Sequence, residues 1–109
     1  ASAGAAQAEA GLKEARMALR EVERGREAAE AGLEMARANA GVAEATYERF
    51  KALLERESVS QQEFDEVEAR YLSSQASVKQ AEQSVLGLEE KQSQVEARIE
   101  QADLSDIQR

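Results

Sequence analysis

Three residues near the middle of the 109-residue chain carry side chains suited to docking another protein: Arg49, Leu53 and Ser60. Arg49 and Leu53 are four positions apart, so they share one face if the segment is helical. Arginine offers a permanent charge with several hydrogen-bond donors, and leucine offers apolar surface. Each residue also has a simpler explanation: Leu53 could flank a helix seam beside Leu54, Arg49 could be a solvated charge, and Ser60 could only cap a helix.

Other chemistry has little support in the composition. The chain contains no His and no Cys, so it lacks the usual general base, the thiolate nucleophile and the soft metal ligands. Its acidic residues stand beside Lys and Arg, as on a solvated helix surface. Residues 57–109 hold 5 basic and 12 acidic groups, a net charge of −7 that would repel nucleic acid. We therefore expect no catalytic residues, no metal, no cofactor and no nucleic-acid partner.

An apolar repeat of seven residues defines the elements that carry these side chains. Two rows in each half of the chain step by seven and alternate by three and four, and both lapse at residues 57–60. The rows of the first half are Ala5, Leu12, Leu19, Arg26, Leu33, Ala40, Tyr47, Leu54 and Ala8, Ala15, Val22, Ala29, Ala36, Ala43, Phe50. Those of the second half are Phe64, Tyr71, Val78, Val85, Gln92, Ile99 and Val67, Ser74, Ala81, Leu88, Val95, Ala102. The repeat predicts an all-α fold, a long antiparallel two-helix coiled-coil hairpin.

The predicted boundaries follow from the lapse in the repeat and from a capping signal. We expect the first helix over about 5–56, a turn over 57–60 and the second helix over about 61–104. Ser60 and Glu63 have the Ser-x-x-Glu spacing of a capping box, in which the serine oxygen accepts a hydrogen bond from the glutamate amide. A single hairpin over residues 1–109 is the expected domain organisation.

Two polar residues that interrupt the seam predict its register. A turn near residue 58 brings together residues whose numbers sum to about 117, so Arg26 and Gln92 should lie within one helical turn of each other. A single polar layer in a coiled coil can fix the alignment of the helices at some cost in stability.

A second surface is predicted on the first helix, where glycines and alanines lie away from the seam and from the charged side. Glycine in a helix costs about 1 kcal/mol relative to alanine, so glycines at heptad spacing suggest close approach of another backbone. We expect self-assembly through a face that includes Gly25, Gly32, Ala38 and Ala45. The alternative is that a long rod simply tolerates small residues.

The whole tip segment resembles a known motif. Arg49, Leu53 and Ser60, within the run Tyr47–Asp65, are similar to the tip of the periplasmic adaptor proteins, or membrane fusion proteins, of tripartite efflux pumps and type I secretion systems of Gram-negative bacteria. In that family an arginine, a leucine and a serine at this spacing flank the hairpin turn and contact the outer-membrane exit duct. Residues 6–12 and 76–82 are similar as well, although alanine-rich repeats are weak signals.

This resemblance implies a structural connector without chemistry of its own. The hairpins of such adaptors pack side by side into a periplasmic tube, and their tips meet the duct. The chain is then expected to be a soluble fragment of a larger adaptor. That parent would be anchored at the inner membrane and would contact an inner-membrane transporter through domains absent here. The alternative is a generic coiled-coil arm or scaffold dimerisation module with another protein partner.

Overall fold

Two long helices joined by a short turn make up the computed structural model, which describes residues 2–107 and the side chains of 3–104. Helix α1 runs over Ser2–Glu55 and helix α2 over Gln61–Ile107. No strand occurs among the described residues. The chain is an antiparallel two-helix coiled-coil hairpin, which confirms the predicted fold class.

The helix ends differ from the predicted ends by a few residues. α1 begins before the expected start near residue 5, because the alanine-rich first residues are strong helix formers. It ends one residue earlier than predicted, and Arg56 belongs to the turn. α2 begins at residue 61, as predicted, and continues beyond residue 104 because no Pro or Gly interrupts it there.

The core of the hairpin lies in the predicted seam. Every described member of the four seam rows is buried or half-buried except Ala5, which is exposed. The residues with the deepest burial all belong to those rows: Ala15, Val22, Phe64, Val67, Val85 and Val95. Removal of this apolar stripe from water is the main force that holds the two helices together.

The hairpin divides into two compact units. The terminal unit consists of Ala1–Ala28 with Val85–Arg109, and the turn unit consists of Ala29–Ser84. In the terminal unit, Arg26 Nη1 donates a hydrogen bond of 2.9 Å to Gln92 Oε1. This bond confirms the predicted pairing of the two polar seam residues.

The turn unit contains all four aromatic residues of the chain, and all four occupy seam rows. The Tyr47 ring stacks on the Tyr71 ring with centroids 4.8 Å apart, and it lies 5.6 Å from the tilted ring of Phe64. Such aromatic pairs contribute about 0.5–1.5 kcal/mol beyond the area they bury. The seam of the turn unit is therefore filled by larger side chains than the alanine-rich seam positions in the rest of α1.

Within the described part of the chain, neither helix is both long and apolar enough to cross a membrane.

Candidate docking tip and assembly face

Helix α1 is terminated by Glu57, which lies two residues beyond the last residue of the helix and has a left-handed conformation with a φ of 60°. The amide of Glu57 donates to the carbonyl of Leu54, and the amide of Ser58 donates to the carbonyl of Leu53, both at 2.9 Å. These two bonds form a Schellman motif, which satisfies carbonyls that a helix end otherwise leaves unpaired. Glycine is the usual residue at this position, because a Cβ is strained at positive φ.

Helix α2 begins with the capping box predicted from the sequence. The Glu63 amide donates to Ser60 Oγ at 3.1 Å, and the Ser60 amide donates to Glu63 Oε1 at 3.2 Å. The Ser60 hydroxyl also donates to Glu63 Oε1 at 3.0 Å. A hydroxyl has one proton, and here Glu63 accepts it. Any further partner of Ser60 must therefore donate to its oxygen.

The three residues of the predicted docking tip all belong to the turn unit. The side chains of Arg49 and Ser60 are exposed, whereas Leu53 is half-buried. Leu53 flanks the seam next to Leu54. One part of its side chain is covered there, and the other part is open to solvent. The structure thus leaves an apolar group and a guanidinium accessible in the last two turns of α1, and a hydroxyl oxygen accessible immediately before α2. Their role in docking remains a prediction.

The predicted assembly face is not uniform, because Gly25 borders the seam. The sequence placed Gly25 away from the seam, but the residue is half-buried and faces α2. A Cβ added at Gly25 would lie 3.6 Å from Cδ2 of Leu88. The row of Gly25 borders the seam, so a small residue there makes room for a leucine of the same hairpin. Its occupancy by glycine does not require a second partner.

The other three residues of the predicted assembly face, Gly32, Ala38 and Ala45, are exposed. A Cβ on Gly32 would meet no atom within 4 Å. Sequence reasoning missed two larger members of this surface, Met35 and Val42, which are 69% and 70% exposed. The sequence does contain a pattern that predicts their exposure. Met35 and Val42 continue the alternating three-and-four spacing of the exposed alanines on the side opposite the seam.

Two grooves lie along the turn unit, on either side of its seam. The charged groove, of about 430 Å³, is lined by charged residues of both helices, namely Arg37, Glu44, Lys79 and Glu82. Arg37 and Glu82 form an exposed ion pair there, with 3.9 Å between nitrogen and oxygen. Exposed pairs of this kind contribute only about 0–1 kcal/mol.

The second groove has a different lining. We call it the small-residue groove; it consists of two adjoining depressions of about 220 and 390 Å³ that share Asn39 and Arg70. Their other lining residues are uncharged: Ala36, Val42, Ala43, Thr46, Val67, Ala69, Ser73, Ser74 and Ser77. Arg70 is therefore the one charged residue among those that line it. No group of three or more acidic side chains among the described residues is placed to hold a metal ion.

The fold and the capped turn define the chain as a long coiled-coil hairpin. The α-helical hairpin domain of RND membrane fusion proteins matches residues 25–87, which are 63 of the 109 residues. The chain belongs to this family. The comparisons with curated proteins and with solved structures gave no match.

Family membership confirms the resemblance seen in the tip segment and gives the chain a general role. The family consists of structural adaptors of RND-type tripartite pumps, and it is periplasmic. It implies association with an outer-membrane factor and with an inner-membrane transporter.

Proposed function

We propose that this chain is the connecting arm of an RND-type adaptor, whose turn docks the outer-membrane duct while neighbouring hairpins pack side by side into a periplasmic tube. The observation that carries the proposal is that the family match at residues 25–87 includes Arg49, Leu53 and Ser60. The parent adaptor is anchored at the inner membrane and contacts its transporter through other domains, and this chain is one part of it.

The accessible groups near the turn support docking through three complementary contacts. Leu53 supplies apolar surface, and its backbone carbonyl is already satisfied by Ser58. Arg49 supplies a fork of charged donors for backbone or carboxylate oxygens of the duct. Ser60 supplies an acceptor, because its proton is engaged by Glu63. We therefore expect the duct to present a hydrogen-bond donor towards Ser60.

A transport assay with the full-length adaptor tests this role. We expect Leu53→Ala and Arg49→Ala each to abolish transport while helicity and expression stay close to wild type, because interface anchors contribute much of the binding free energy. Arg49→Lys should also impair transport, since lysine keeps the charge but loses the planar fork. Ser60→Ala is less informative, because loss of the cap alone costs about 1 kcal/mol.

Matched controls separate docking from general surface effects. Lys51→Ala removes another exposed cation of α1, and Leu86→Ala truncates an exposed leucine of the terminal unit. Both variants should transport normally. Normal transport by Leu53→Ala and Arg49→Ala as well would contradict the docking role, and a coiled-coil arm for another protein partner would then be the better assignment.

A further inference from the structure

The two sides of the turn unit differ in charge. The charged groove carries residues of both signs on both helices, whereas Arg70 is the one charged residue that lines the small-residue groove. The small-residue groove is lined by short side chains such as Ala43 and by the apolar side chains of Val42 and Val67. Such a groove fits an apolar side chain accompanied by a negative charge.

The same hairpin exposes a side chain of this kind on its other side. Leu72 is 56% exposed and lies in the same heptad row of α2 as Lys79, which lines the charged groove. Leu72 and Arg70 are two residues apart, so they point about 200° away from each other and differ in height by about 3 Å along the helix. Glu68, four residues before Leu72, shares its face of the helix.

We infer that Leu72 of one hairpin inserts into the small-residue groove of a second copy, with Glu68 of the first facing Arg70 of the second. This inference rests on the side-by-side packing in the proposed function and names the surfaces that meet. Leu72 and the small-residue groove lie at nearly the same height on opposite sides of α2. Two parallel hairpins can therefore meet at these surfaces without a shift along their length.

The charge and the position of the small-residue groove indicate that a second copy of this hairpin fills it. Glu68 places a negative charge beside the apolar side chain of Leu72, and this pair complements a groove whose one charged lining residue is Arg70. The chain itself supplies both surfaces. The contact joins two different surfaces, so in a pair of copies the groove of the first and Leu72 of the second are still free. Contacts of this kind close into rings when the rotation between copies allows it. A two-fold pair would instead bring identical surfaces together.

Cysteine cross-linking of the full-length adaptor tests the contact, since this chain contains no Cys. Any cysteines elsewhere in the parent are first replaced by serine. A protomer with both Thr46→Cys and Leu72→Cys should form a ladder of covalent oligomers on mild oxidation, because Thr46 lines the groove at the height of Leu72. Either single variant should stay monomeric on a denaturing gel. Met35→Cys with Leu72→Cys is the register control, because residue 35 lies about 16 Å from residue 46 along α1, beyond disulfide reach.

Charge reversal provides a second test. Arg70→Glu alone and Glu68→Arg alone should each reduce the oligomer fraction in sedimentation experiments, because each brings like charges together across the contact. The double variant should restore it. Circular dichroism of each variant checks that the hairpin remains helical. Failure of the double variant to recover assembly, with helicity intact, would overturn the pairing of Glu68 with Arg70.

The outcomes distinguish the inference from the function on which it depends. If the adaptor assembles but the 46/72 pair gives no ladder, the inferred contact is wrong and side-by-side packing stands. Dimers from Ala38→Cys alone, without a 46/72 ladder, would show a two-fold contact instead. If the unmodified adaptor is monomeric at all concentrations, the packing part of the proposed function fails and the inference fails with it. The docking test on Arg49 and Leu53 is independent of that result.

Discussion

At the scale of single residues, Glu57 has the one positive φ among the described residues. A left-handed conformation costs a residue with a Cβ about 1–2 kcal/mol, and glycine avoids most of this cost but loses more entropy on folding. We therefore predict that Glu57→Gly raises the free energy of unfolding by up to about 1 kcal/mol. Chemical denaturation followed by circular dichroism measures the change.

A matched glycine inside the helix controls for the substitution itself. Glu55→Gly places the same residue in the last turn of α1, where it should lower the free energy of unfolding by up to about 1 kcal/mol. Equal destabilisation by both substitutions would contradict a strained backbone at Glu57.

Ser60 and Glu57 show which residue-level features a sequence can reveal. The cap at Ser60 was predictable because Ser-x-x-Glu contains both partners of the capping hydrogen bonds. The left-handed turn at Glu57 was not, because glutamate has no preference for positive φ. That conformation is imposed by the reversal of the chain between two helices that share one seam.

At the scale of the helices, Arg26 and Gln92 form a polar contact inside an otherwise apolar stripe. We predict that the double variant Arg26→Leu with Gln92→Leu melts at a higher temperature, with a gain in unfolding free energy of about 1–3 kcal/mol. It should also populate other alignments or oligomers, because a polar layer favours the one register in which its members meet. Thermal melts and sedimentation together measure both effects.

The control for this prediction is Gln94→Leu, which adds a leucine at an exposed position of α2 and should leave the melting temperature nearly unchanged. A double variant that melts below the wild type would show that the contact between Arg26 and Gln92 is a net source of stability. Its role as a tolerated cost of register would then be wrong.

The bounds and the seam of the two helices were easier to predict from the sequence than the side-chain contacts beside the seam and the exposed residues of the outer face. Heptad spacing identified the seam because burial follows helical periodicity directly, and the sum rule for an antiparallel turn placed Arg26 beside Gln92. The same spacing did not show that Gly25 faces Leu88, since that contact depends on the rotation of each helix about its own axis. Met35 and Val42 were not predicted as an exposed apolar pair, because the rows around them on the outer face consist mainly of small residues.

At the scale of the whole molecule, Gly25 and Gly32 provide a test of what the small residues of α1 do. Gly32 is exposed, and a Cβ added there would meet no atom within 4 Å, whereas Gly25 lies against Leu88. We predict that Gly32→Leu in the full-length adaptor leaves the hairpin folded but reduces assembly and transport, because a large side chain would separate neighbouring copies. Gly25→Leu should instead lower the melting temperature, because the new side chain competes with Leu88 for space within one hairpin.

Alanine substitutions at the same two positions distinguish steric effects from helix propensity. Gly32→Ala should stabilise the hairpin by up to about 1 kcal/mol, and Gly25→Ala should be tolerated because a Cβ there makes an ordinary contact of 3.6 Å with Leu88. Melting temperature, cross-linked oligomers and transport are measured for all four variants. If Gly32→Leu assembles and transports normally, the exposed part of the face is only a tolerant helix surface. If Gly25→Leu melts like the wild type, the contact with Leu88 does not constrain the hairpin.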